Sequence, residues 1–139
     1  MRDLPRKLTA EELADLFSGQ TRFVARLAER EHPLEIAGEV ARELPEEEKV
    51  EALAAHPRIG ESSPEQRGDE PGVLVELAEL NRAYEEKFGF RFVVFVNRRP
   101  RSAILPILRE RLERTREEEL ATGLRELVAI ARDRWILTT

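Results

Sequence analysis

A chain of 139 residues is the size of one domain and can bury enough surface to fold without a staple. Its apolar share of 41% is ordinary and its charged share of 37% is high, while a net charge of −5 excludes the basic footprint of a nucleic-acid binder. With no cysteine, disulfides, thiolate metal sites and a cysteine nucleophile are excluded as well.

Taken in chain order, the apolar pattern reads as helices. Thr9 and Glu12 form a capping box that predicts a first helix from about Ala10 to Ser18, stopped by Gly19. Thr21 caps a second, carrying Phe23, Val24 and Leu27 and ending before His32-Pro33, because a residue preceding proline avoids the helical region. Pro33 starts a third, with Ile36, Val40 and Leu44 as its buried stripe, and Pro45 opens a fourth that runs through Val50 and Leu53 to Ala55. The chain must leave that helix at His56-Pro57. From Arg58 to Gly72 the helical period is lost and turn-forming residues are dense, with room for one turn of helix at Pro64 to Gln66 capped by Ser62 or Ser63.

Val73 to Phe88 resumes a helix whose face is Leu74, Leu77, Leu80, Tyr84 and Phe88, with Gly89 as its stop. Phe90 to Val96 has the composition of a strand, yet no other stretch has comparable strand character to pair with it. It is therefore expected to be a buried extended or irregular segment threaded between helices. Ser102 is expected to cap a helix through Ile104, Leu105, Leu108 and Leu112, and the capping box Thr115 to Glu118 opens a last one reaching Trp135. The expectation is an all-α single domain over residues 1–139, a bundle of about seven or eight helices with one loop-rich segment. No apolar run is longer than the five residues of Phe92 to Val96, too short to cross a bilayer, and Met1 to Pro5 lacks the apolar core of a secretion signal, so a cytoplasmic protein is expected.

Few residues offer chemistry. The two histidines, His32 and His56, each precede proline, and a histidine at a helix end often serves only to satisfy the last carbonyls. Ser62 and Glu65 likewise read first as a capping box. His56 differs in having Ser62, Glu65 and Gln66 close behind it, a polar set suited to lining a small-ligand site. The spacing supplies too few ligands for a metal, and none is expected. Arg134 follows Ile130 by one helical turn, which favours a partly buried guanidinium.

Five pieces in order, HPRIG, SSPEQRG, LAELNRAYEEKFGFRFVVFV, AILPILRERLER and ELVAIARDRW, resemble the 2-oxo-4-hydroxy-4-carboxy-5-ureidoimidazoline (OHCU) decarboxylases of urate breakdown. The resemblance implies an all-helical carboxy-lyase that needs no cofactor and forms (S)-allantoin. It places the catalytic residues on His56, Glu65 and Arg134, and substrate contacts on Pro57, Ser62, Gln66 and the segment Phe92, Val93, Val94, Phe95 and Val96, largely through backbone groups. The family commonly forms homodimers, for which the apolar N-terminal helices are available, and functional coupling to a 5-hydroxyisourate hydrolase is a further expectation. Two positions depart from the family pattern: Arg91 stands where proline is usual, and Trp135 where leucine is usual. The competing readings are a non-catalytic helical interaction module and a decarboxylase of a related ureido or hydantoin acid.

Overall fold

The computed structural model describes residues 3–58 and 71–137. These form seven helices and no strand: α1 (Ala10–Phe17), α2 (Arg22–Ala28), α3 (Pro33–Glu43), α4 (Glu46–Ala55), α5 (Pro71–Phe88), α6 (Arg101–Leu112) and α7 (Arg116–Leu137). The all-α expectation holds, and no helix among the described residues is long and apolar enough to cross a membrane. The single turn expected at Pro64 to Gln66 lies outside the described residues.

Local signals place most boundaries. The Thr9 hydroxyl accepts from the Glu12 N–H at 3.1 Å while the Glu12 carboxylate accepts from the Thr9 N–H at 3.0 Å, and Thr115 with Glu118 repeats the box at 3.2 and 3.0 Å. Thr21 caps α2 through the Val24 N–H. Three details differ from the sequence reading. The left-handed residue that ends α1 is Ser18, at φ 68°, one position before Gly19. Gly19 serves a different need, because a Cβ there would lie 3.1 Å from the Ala55 Cβ, so its absence lets the ends of α1 and α4 touch. Ser102 does not cap α6: Pro100 holds the cap position, with no side-chain bond, and its fixed φ leads the chain into the helix.

The long α7 packs against α1, α3 and α4, α2 bridges α1, α3 and α4, and α5 pairs with α6. α3 enters the core through Leu34, Ala37, Val40 and Ala41; of the expected stripe, Val40 and Leu44 are buried and Ile36 only partly so. Gly123 likewise allows α7 onto Leu53 of α4, where an added Cβ would lie 3.2 Å from a leucine methyl.

Residues 91–96 take no regular secondary structure and have no strand partner among the described residues, in keeping with the extended or irregular segment that the sequence predicts, and Phe92, Val93 and Val94 are buried. Phe88, Phe90 and Phe92 all pack on the ring of Tyr84, Phe92 with its ring centre 5.1 Å away. Side chains supply the backbone partners that a neighbouring strand would give. Arg111 Nη1 donates to the Val93 carbonyl at 2.7 Å, Arg99 donates to the carbonyls of Phe95 and Val96 at 2.6 and 2.9 Å, and the Phe95 N–H donates to Glu126 at 3.2 Å.

Arg111 is itself held in a buried network. Its Nε donates to Glu119 Oε1 at 2.7 Å, the Tyr84 hydroxyl donates to the same oxygen at 2.7 Å, and its guanidinium carbon lies 4.5 Å from the Phe92 ring centre. Burial first, then the bond to Glu119, pushes the Tyr84 hydroxyl far above its usual range, so it stays protonated and donating. Since Glu119 is 0% exposed, removal of Arg111 leaves a buried charge poorly compensated. Arg111→Met is expected to lose about 3 to 5 kcal/mol of stability in urea unfolding. The double variant Arg111→Met with Glu119→Leu is expected to be less destabilised than the sum of the two single variants, because the second change removes the stranded charge.

Candidate active site

His56 sits at the end of α4 with extended backbone, φ −79° and ψ 137°, and its N–H still bonds to the Leu53 carbonyl at 3.2 Å. A helix leaves its last carbonyls without partners, and here an arginine from another element supplies them. Arg91 Nη1 donates to the Ala54 carbonyl at 2.7 Å and to the His56 carbonyl at 2.6 Å. On the other side of His56, Arg58 forms a two-pronged pair with Glu85 of α5, at 2.8 and 3.1 Å, which holds that carboxylate below its usual pKa. The backbone carrying the histidine is thus tied both at its own carbonyl and two residues on.

These bonds remove the plain structural account of His56 as a helix-ending ring. Arg91 does the capping, while His56 Nδ1 is buried with no hydrogen-bond partner among the described residues. Arg91 Nε shares that condition at the same corner. Buried polar atoms in native proteins are rarely left so, and a site that receives a polar ligand is one of the places where they are. His32 contrasts with it: exposed, at the start of α3, its Nδ1 lies 3.7 Å from Glu35 in an ordinary surface pairing.

Arg134 approaches from α7. Its Nη1 donates to the Leu16 carbonyl at 2.9 Å and to the Ser18 hydroxyl at 2.7 Å, so it caps α1 much as Arg91 caps α4. Two helix ends, each closed by an arginine, therefore meet at the histidine. Burial, then the charges of Arg134 and Arg91, push the His56 pKa down to about 4, and the ring is neutral at neutral pH.

The structure brings together His56, Arg134 and Arg91, from which the segment Phe92 to Val96 leads away. The carbonyls of Val93, Phe95 and Val96 and the N–H of Phe95 are already engaged inside the protein, and the buried side chains of Phe92, Val93 and Val94 belong to the core. Pro57 is exposed beside His56. Glu65, Ser62 and Gln66 lie outside the described residues. The sequence reading noted Arg91 only as a departure from a pattern and did not single out the Arg58–Glu85 anchor. The available signal for Arg91 was a lone charge inside an otherwise apolar run.

The depressed pKa has a consequence for stability. Between about 4 and the ordinary histidine value near 6.5, the unfolded chain binds a proton that the folded chain refuses, so stability falls as pH is lowered through that window. A descent from 6.5 to about 4 corresponds to about 3 kcal/mol. Urea unfolding at pH 7 and pH 4 is expected to show the parent protein losing about 3 kcal/mol more than His56→Gln. Equal losses would mean that the ring is not held neutral.

The pattern of the OHCU decarboxylase family matches residues 2–135. A 2-oxo-4-hydroxy-4-carboxy-5-ureidoimidazoline decarboxylase of Halalkalicoccus jeotgali is 29% identical over 98 residues, covering 62% of this chain and 56% of that protein. The uric acid degradation bifunctional protein TTL of Arabidopsis thaliana is 33% identical over 98 residues, covering 58% of this chain and 30% of that protein. The chain thus spans about half of the first relative and under a third of the second. A crystal structure of OHCU decarboxylase in the presence of (S)-allantoin superposes with a TM-score of 0.78 at 26% identity, covering 89% of this chain and 94% of that one. The structure of an (S)-allantoin synthase, at 23% identity and a TM-score of 0.71 over 91% of this chain and 48% of that one, shares the fold. With a family match over nearly its whole length and the same helical architecture, this chain belongs to the OHCU decarboxylase family.

Proposed function

We propose that this chain catalyses the decarboxylation of 2-oxo-4-hydroxy-4-carboxy-5-ureidoimidazoline to (S)-allantoin in urate breakdown, without a cofactor. The observation that carries the chemistry is a neutral, partly buried histidine beside two arginines, with a buried ring nitrogen that has no partner among the described residues.

The substrate carries its own electron sink. As the bond to the carboxylate breaks, its electron pair forms a double bond toward the ureido-bearing carbon and displaces the ring C=N pair onto nitrogen, which takes a proton from solvent. The product of that step is an enol, which becomes allantoin when the hydroxyl loses its proton and the ureido-bearing carbon gains one. A neutral imidazole suits that transfer: His56 accepts the hydroxyl proton and returns it to carbon on one face, which sets the chirality. Held neutral by its surroundings, it begins the cycle as the base.

Arg134 is proposed to favour the oxygen that gathers charge on the ring or ureido group. An arginine clamped on the departing carboxylate would stabilise the ground state more than the transition state and so oppose the reaction. Glu65 is proposed to orient the histidine ring or hold the substrate hydroxyl and ureido nitrogens, with Ser62 and Gln66 as hydrogen-bonding frame and Pro57 at the edge. For the segment Phe92 to Val96, contact falls to backbone groups not already committed, such as the N–H groups of Val93 and Val94. Location in the cytoplasm, assembly as a homodimer and supply of substrate by a 5-hydroxyisourate hydrolase complete the proposal.

His56→Ala is expected to lower kcat about a thousandfold while circular dichroism reports an intact fold. Glu65→Gln is expected to suppress turnover with stability unchanged, whereas in a non-catalytic helical module it would alter stability alone. A His56→Ala protein with the parent rate removes the proton-transfer assignment.

A further inference from the structure

Proton transfer to one face of the substrate needs the ring of His56 held in place. Helix ends fray, and a histidine on the first residue beyond a helix inherits whatever freedom the end has. Here the freedom is removed from outside. One nitrogen of Arg91 bonds two carbonyls, Ala54 and His56, at 2.7 and 2.6 Å, so the last turn of α4 and the residue after it are fixed to the same atom. Arg91 is in turn immobilised by its neighbours in sequence, since Phe90 and Phe92 are both buried in the core. Its Nε is buried as well, without an acceptor among the described residues.

We propose that Arg91 is a positioning residue for His56: it fixes the backbone that carries the ring and places a permanent positive charge beside it. Both bonds are ones a helix C-cap can make, but the second reaches the carbonyl of His56 itself, so the cap also fixes the residue that carries the ring. A partly buried cation stands beside a partly buried imidazole whose Nδ1 is shielded from water, so screening between them is reduced. The described charged groups around the ring are Arg91 from the extended segment, Arg134 from α7, and the Arg58–Glu85 pair, whose two charges offset each other. Arg134 reaches the site from the far end of the chain and is tied to α1, so the two arginines contribute independently.

Two variants separate position from charge. Arg91→Gln removes both, and Arg91→Lys keeps the charge but not the planar donor that serves two carbonyls. The chain has two histidines, so a His32→Gln background leaves one imidazole signal in proton NMR. In that background Arg91→Gln is expected to raise the titration midpoint of His56 by about one pH unit, and Arg91→Lys to leave it near the parent value. Both are expected to lower kcat for OHCU about tenfold or more with KM changed less than threefold. This inference rests on the decarboxylase reading for its kinetic arm only. An unmoved midpoint in Arg91→Gln overturns the electrostatic part, and unchanged kcat in both variants overturns the positioning part. Should Arg91→Gln fail to fold, Arg91→Lys decides: parent kcat there contradicts the proposal, and reduced kcat at an unchanged midpoint supports it. A parent protein that does not turn over OHCU contradicts the decarboxylase reading and leaves the NMR arm standing.

Discussion

A single segment that is neither helix nor strand, buried inside a helical protein, must find partners for backbone groups that regular structure would otherwise satisfy, and much of this structure follows from that constraint. Among the described residues no strand lies beside 91–96. Arginines and a glutamate take the missing strand's place, with Arg111, Arg99 and Glu126 bonding the carbonyls and an N–H along it. Burying such groups is costly unless each charge is itself paired, and the Arg111–Glu119–Tyr84 network meets that condition in the core. The segment is thereby held in place without being part of a sheet. Backbone groups taken neither by a sheet partner nor by these side chains, such as the N–H groups of Val93 and Val94, are the ones proposed to meet a ligand.

The same economy recurs at the histidine. The ends of α1 and α4 meet because Gly19 has no side chain to keep Ala55 away, and each end is closed by an arginine from elsewhere in the chain. Capping by a remote arginine leaves the histidine ring unspent and adds positive charge around it. Burial and those charges act in one direction, toward the neutral imidazole. A fold device that closes helices therefore also sets the protonation state of the group proposed to carry the proton.

Much of this was legible in the residues. Capping boxes at Thr9 and Thr115 mark helix starts because their chemistry is local, and the run from Phe90 to Val96 is readable as an extended or irregular segment without a partner because its strand propensity has nowhere to pair. His56 and Arg134 were identified through ordered resemblance, and the structure brings them together with Arg91. The buried charges were not legible. Arg111 and Glu119 stand on helices so rich in Arg and Glu that composition alone assigns them to the surface, and only tertiary packing shows which ones turn inward. Ser102 failed as a cap for a related reason, since Pro100 had already turned the chain into the helix. Arg91 was visible as a departure, but its bond to the end of α4 joins residues 35 positions apart and leaves no local trace.

The central claim is that this chain imposes a face on a proton transfer that otherwise proceeds in solution. The most direct measurement oxidises and hydrolyses urate in the presence of the protein and follows the chirality of the allantoin formed by circular dichroism. The account predicts (S)-allantoin, appearing faster than spontaneous decay of the ureidoimidazoline. Racemic allantoin forming at the spontaneous rate would contradict it.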